Sequence, residues 1–410
     1  DSTVLNKRPH PRRRLSQTVR RIATASTFIW LAHATLYAAP TRPTDESTVL
    51  ERLPTRPTDP VQRELRELRR AHEAAPDDAL RALDLARRYF NLALDTGDLR
   101  YVGYGEAALS RWRHSKAAPV EVLVMQAQLA QYKHEFGAAL QLLDSAIALD
   151  PGHTRAFAWR AAVNMVVARY DAVRPDCLRL RELKETLLAT GCIAYLNATL
   201  GKARAAYEML AVQFKAEPGA RPTLKAWTLT VLAEIARRKG DAATAEAHYQ
   251  AALKLDESDQ YLLSAYSELL THQRRWRDVV ALLRRWERSD ILLLQLARAE
   301  RAIGSPEAQR HAATLKARFD DAALRGDSFN AQDEAWFRLE FQNDAKGALA
   351  LALKNWTIQK EPRDAELVLE AALAARDPSS ATPVLEWLTR TGLEDPRLAE
   401  LATQLKKGSR

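Results

Sequence analysis

Glycine is scarce, at 14 of 410 residues, and no stretch alternates β-branched residues between hairpin turns. A sheet-based fold is thereby excluded, which leaves an almost wholly helical chain. Cysteine is scarcer still. Cys177 and Cys192 stand 15 residues apart, too far for a close-spaced redox or metal pair. Signatures of catalysis are missing as well. His72-Glu73 and His134-Glu135 open like a zinc-protease helix, but Pro76 and Ala138 stand where the second histidine is required. There is no Gly-x-Ser-x-Gly elbow and no Gly-rich phosphate loop, and the nine histidines form no cluster. The chain reads as a non-enzyme, with no catalytic, cofactor-binding or metal-binding residues.

The formal charge of +9 is concentrated at one end. Lys7, Arg8, Arg12, Arg13, Arg14, Arg20 and Arg21 lie in the first 38 positions against Asp1 alone, and beyond them 54 basic residues face 51 acidic ones. Such a balance describes a solvated surface of mixed sign and argues against nucleic acid as partner. Next comes a mostly apolar run of 16, Ile22 to Tyr37, followed by Ala38-Ala39-Pro40. A basic start, a short apolar run and small residues make a secretory signal over residues 1–38, cut after Ala38 because Pro40 disfavours a cut after Ala39. The run is shorter than the roughly 18 to 20 residues of a comfortable bilayer span. Two alternatives stay open: an uncleaved signal anchor, with residues 22–37 as a membrane tether, and an ordinary buried helix. A signal makes the chain exported and periplasmic; an anchor leaves it at the inner membrane. Residues 39–60, with Thr-Arg-Pro-Thr-Asp twice, read as a flexible Pro/Thr-rich linker.

From Val61 a helical period takes over, and it is clearest in Ala226 to Asp259. Leu229, Leu232, Ala233 and Ala236 recur at i, i+3, i+4 and i+7, Gly240-Asp241 breaks the pattern, and Ala245, Tyr249, Ala252 and Leu253 restart it. Two short helices of this kind cannot bury their apolar faces alone, so stacked copies are required.

The 34-residue spacing, with small Ala233 where the helices meet, Ala245, the large wedge Tyr249 and Ala252, resembles the tetratricopeptide repeat. The same template recurs at 120–153 (Leu123, Ala127, Ala139, Leu143, Ala146, Pro151), 187–220 (Ala194, Ala206, Leu210, Pro218) and 331–362 (Phe337, Phe341, Ala350, Pro362). Thr154 to Thr186 and the stretch from Gln260 keep the period but lose signature positions, and read as degenerate repeats. Asp320 to Asp333 reads as a long polar turn, and residues 406–410 as a charged tail. The resemblance implies an all-α fold over residues 61–405, a right-handed superhelical solenoid of stacked helix-turn-helix repeats.

In that family the first helices of successive repeats line a concave groove that holds protein or peptide partners. The matching positions here are Gln128, Gln131, Tyr132, Arg155, Met165, Tyr195, Glu234, Arg237, Arg238, Tyr261, Glu268 and His272. Val124 and Gln128 stand where some members carry the lysine and asparagine that grip a C-terminal carboxylate, so that clamp is not expected. In the repeat register Cys177 and Cys192 fall on neighbouring helices, either bridged in an oxidising compartment or buried as two thiols. The resulting expectation is a scaffold or adaptor for protein or peptide partners, assembling an envelope complex in the periplasm or at the membrane surface. The alternative is an envelope glycan-binding protein or enzyme, with a site in the aromatic segment Tyr101 to Trp112 or beside Trp227, Trp276 and Trp286. Oligomeric state is not legible in the sequence.

Overall fold

The computed structural model describes residues 59–408, apart from 97, 114, 116 and 326–330. The signal or anchor over 1–38 and nearly all of the linker lie outside the described residues. Asp59 caps the first helix, α1 (Pro60–Ala74), by accepting the Val61 N–H, with Pro60 supplying the preset φ of a first helical position. Helices then come in pairs: α2 (Ala79–Thr96) with α3 (Arg100–Ala108), α4 (Val120–Tyr132) with α5 (Phe136–Leu149), and α6 (Thr154–Val166) with α7 (Tyr170–Glu182). Next are α8 (Thr186–Thr199) with α9 (Ala203–Ala216), α10 (Pro222–Arg238) with α11 (Ala242–Leu253), and α12 (Gln260–His272) with α13 (Trp276–Leu283). The series ends with α14 (Asp290–Ala302) and α15 (Glu307–Arg325), α16 (Ala331–Phe341) and α17 (Ala345–Ile358), α18 (Pro362–Ala375) and α19 (Thr382–Thr391), and a last helix, α20 (Pro396–Gly408). No strand occurs among the described residues.

A hairpin of two helices with a three-residue turn needs one residue in the left-handed region to reverse the chain. Glycine fills that place at Gly201, Gly240 and Gly304, where φ is 71 to 79°. His134, Ala168, Arg274 and Asn343 fill it elsewhere, with φ of 54 to 60°. The pairs α6–α7 and α12–α13, which look degenerate in sequence because they lose signature positions, are regular pairs all the same. The polar stretch after Asp320 is also helical as far as Arg325. Leu315, Phe319 and Ala322 are buried at i, i+4 and i+7, so an apolar stripe carries α15 across it. Lys406 and Lys407 likewise belong to the last turn of α20, where positive charge suits the carbonyl end of the helix dipole.

Each pair buries its wedge against the next. Tyr249 of α11 is fully buried and stacks on Tyr266 of α12 with ring centroids 5.6 Å apart. Burying a side chain of that size contributes roughly 2–3 kcal/mol. Ala233, Ala245 and Ala252 are also fully buried, since only a small residue lets the two helices approach this closely. The first helix of each pair, from α4 to α18, packs on the first helix of the next, which makes the even-numbered helices a continuous inner wall. These features make the described chain an all-α helical-repeat solenoid.

The array turns back on itself. The Lys360 N–H donates to the Val166 carbonyl at 2.8 Å, and the Trp387 Nε1–H to the Tyr170 hydroxyl at 3.0 Å. The Ala203 N–H reaches Glu394 at 3.2 Å, and Arg237 pairs with Asp395 at 2.9 Å. At the other end, Gln260 donates to the Leu94 carbonyl, and Ser258 lies 3.5 Å from Asp95. The inner wall is thereby wrapped into a channel. Cys177 of α7 and Cys192 of α8 form a disulfide between neighbouring pairs, with Cα atoms 5.6 Å apart.

Candidate functional site

Three cavities of about 520, 320 and 30 Å³ run through this channel, and Arg363 lines all three. The first shares Ile291 and Asp333 with the second, and the second shares Tyr261 and Glu361 with the third. They lie side by side along the inner wall. Helices α4, α8, α10, α12, α14, α16, α18 and α20 each contribute side chains to them.

Nine of the twelve groove residues expected from the sequence line these cavities. They are Gln131, Tyr132, Tyr195, Glu234, Arg237, Arg238, Tyr261, Glu268 and His272. The other three do not. Gln128 is buried, and with its amide turned so that the oxygen accepts, it is bonded to Trp159 and, at 3.0 Å, to Arg155. Arg155 is exposed and reaches Glu121 at 3.2 Å, while Met165 packs into the apolar cluster around Cys177.

The channel residues are not the freely solvated side chains that a groove pattern suggests. Glu234 and Arg238 are buried. Glu234 accepts from the Tyr261 hydroxyl at 2.6 Å, and Arg238 donates to Thr199 at 3.0 Å while lying 4.7 Å over the Tyr195 ring. Arg237 is held by Asp395, Glu268 by Arg363 at 2.9 Å, and His272 by Glu366 at 2.8 Å. Tyr261 keeps 48% of its surface open although protein surrounds it, as expected for the wall of an internal channel. Burial pushes its hydroxyl pKa well above the ordinary value, and that of Tyr132 up to about 12.

Sequence reasoning missed the other half of the wall. Asp333, Glu361, Arg363, Glu366, Asp395 and Arg397 come from α16, α18, α20 and the turns before them, and closure of the superhelix brings them opposite α10 and α12. Burial raises the carboxyl pKa of Asp333 to about 7, and burial with the repulsion of Asp364 raises Glu361 to about 8. Glu366 goes the other way. Burial opposes its charge, but the hydrogen bond from His272 and the cations His272, Arg237 and Arg397 bring it down to about 2. The same bond outweighs the burial of His272 and raises its pKa above the ordinary value.

The aromatic residues behind the glycan alternative divide between core and cavity. Trp112 and Trp286 are mostly buried, but each edges a cavity away from the channel, of about 800 and 460 Å³, and Trp227 packs on Gly191, where a Cβ would stand 2.5 Å from the ring. Tyr101 and Tyr104 gather on Tyr89, and Trp276 lines the largest channel cavity. Among the described residues no three His, Cys, Asp or Glu side chains are placed to hold a metal, and no helix is long and apolar enough to cross a membrane.

No protein-family model and no curated protein matches the chain. Among solved structures it is similar to the APC/C hetero-tetramer Cut9–Hcn1, at 16% identity over 84% of this chain and 52% of that one, with a TM-score of 0.38. A tetratricopeptide repeat protein from Parabacteroides merdae matches at 13% identity over 79% of this chain and 99% of that one, with a TM-score of 0.25. Yeast Tom70 matches at 11% over 81% and 96%, with a TM-score of 0.23. The chain spans about half the length of the first of these. Likeness at this level carries no weight for function, and the fold stands on the chain's own helix pairs and their packing: an all-α solenoid of stacked helix pairs.

Proposed function

We propose that the chain is a non-enzymatic scaffold or adaptor that seats a segment of a protein or peptide partner in its inner channel. One observation carries this reading: nine residues marked independently by the repeat pattern line adjoining cavities between the facing inner helices. Receptor side chains already fixed by ion pairs and hydrogen bonds lose little entropy when a ligand arrives, so contact with the partner is converted efficiently into affinity. The signal-like segment Ile22 to Tyr37 supports export to the periplasm or the membrane surface, and assembly of an envelope complex is the task that fits an exported scaffold. Fold alone does not fix function, so the test must address the channel itself.

Tyr261 is the residue to change, because it is open to the channel and donates its hydroxyl to Glu234 at 2.6 Å. In-cell crosslinking followed by purification of the chain and mass spectrometry should recover one or two reproducible partners. Tyr261→Phe with Tyr132→Phe, which keeps the Tyr132 ring on Phe90, should reduce their recovery several-fold while circular dichroism and melting stay near wild type. Recovery unchanged in that variant contradicts the reading.

A further inference from the structure

The carboxylates of the channel are almost all answered from within the chain. Arg363 takes Glu268, Arg397 takes Glu370 at 2.6 Å and shares Glu366, Arg237 takes Asp395, and Arg318 takes Asp290 at 2.7 Å. Glu361 accepts a backbone N–H in the capping box at the start of α18. Asp333 differs. Among the described residues its side chain has neither a hydrogen bond nor an ion pair, and Arg363, the cation that most attracts it, turns its Nη2 to Glu268 and leaves its Nε without a partner. Asp333 lines both larger cavities, so it stands where the channel is shared between them.

A second, independent feature lies in the same cavity. Gln295 is 6% exposed; its Nε2 donates to Ser264 at 2.8 Å, and its Oε1 has no donor. A buried acceptor without a donor costs about 1–3 kcal/mol unless something fills the place. The wall already accommodates one cation, since the Arg298 guanidinium lies 4.6 Å over the Trp336 ring. An unanswered carboxylate, an unanswered amide oxygen and an indole that accepts a guanidinium share one kind of complement: a positively charged group rich in N–H donors.

We propose that the cavity around Asp333 and Gln295 binds a protonated amine or guanidinium. The proposal rests on the channel being the partner's seat, with the cation carried by a lysine or arginine side chain of the bound peptide. A free diamine offers the same chemistry, and the test separates the two.

The full chain at pH 8, where the Asp333 carboxyl is ionised, would be titrated by calorimetry with acetyl-Ala-Lys-Ala-amide, acetyl-Ala-Leu-Ala-amide and 1,5-diaminopentane. Saturable binding of the lysine peptide, at least tenfold weaker for the leucine peptide and for Asp333→Asn, is the expected result. Gln295→Leu should weaken it by a smaller factor, and circular dichroism would confirm that both variants are folded. Binding of the diamine with none of the lysine peptide keeps the cation site but assigns it to a free amine. No binding of either, or equal binding by Asp333→Asn, overturns the site. If amine binding fails while partner recovery still depends on Tyr261 and Tyr132, the scaffold reading stands without the site; the reverse pattern removes the scaffold reading and keeps the site.

Discussion

An acid without a counter-ion in a protein-walled cavity destabilises the fold whenever it is charged. Asp333 has a carboxyl pKa raised to about 7 by burial, against 3.8 in an exposed chain. Between those values the folded state holds a proton that the unfolded state has lost, so the contribution of this group to stability falls as pH rises from about 4 to about 7 and is level beyond. Asp333→Asn removes the titration and keeps the shape. The variant should match wild type near pH 3.5 and be more stable by about 2–4 kcal/mol at pH 8, a range that allows for water in the cavity. Urea denaturation at the two pH values checks this. A variant less stable than wild type at pH 8 would mean that Asp333 serves the fold through Arg363 and is not held open for a ligand. At this scale the sequence was half legible. Spacing on the first helices marked Tyr261, Glu268 and His272, but Asp333, Arg363 and Arg397 carry no mark, because their place opposite α10 and α12 is set by closure of the superhelix and not by local pattern.

Turns announced some hairpins in the sequence and left others silent. Gly240 announces the α10–α11 hairpin, whereas Ala168 and Arg274 adopt the same left-handed conformation without announcing it. An L-residue with a Cβ in that region costs roughly 1–2 kcal/mol, which glycine avoids. Ala168→Gly should therefore raise stability by about 0.5–1 kcal/mol, although glycine also frees the unfolded chain. The counterpart is Gly201→Ala. Here φ is +74°, and a Cβ would stand 2.5 Å from the Gly392 carbonyl oxygen, so the substitution should cost about 2–4 kcal/mol through strain and a backbone collision. Thermal melts of the two variants test the pair together; a loss in the first or none in the second contradicts the turn argument. Apolar period, by contrast, was a faithful guide to helices. The buried run Leu292 to Leu296 lies on the inner helix α14, and the period failed after Asp320 only because the polar face of α15 hides its apolar stripe.

An open solenoid has contacts only between neighbours and would present its inner face freely. This chain adds contacts between residues about 160 to 220 positions apart, among them Arg237 with Asp395 and Trp387 with Tyr170. Removing one member of so buried an ion pair typically costs 3–5 kcal/mol, which is why Arg237 belongs to the closure and is a poor choice for probing a partner. The all-α repeat architecture was readable from sequence because each pair repeats the same local solution. Closure was not, since no local pattern records which turns meet after the array has wound round. The central claim is that partners enter this closed channel and do not sit on the outer helices. Site-specific photo-crosslinking in the full chain tests it most directly, with the probe placed at Tyr132 or Tyr261 in the channel, or at Val212 of α9, which is 70% exposed. The account predicts crosslinks to the same partner from both channel positions and none from Val212. A partner captured from Val212 alone would contradict it.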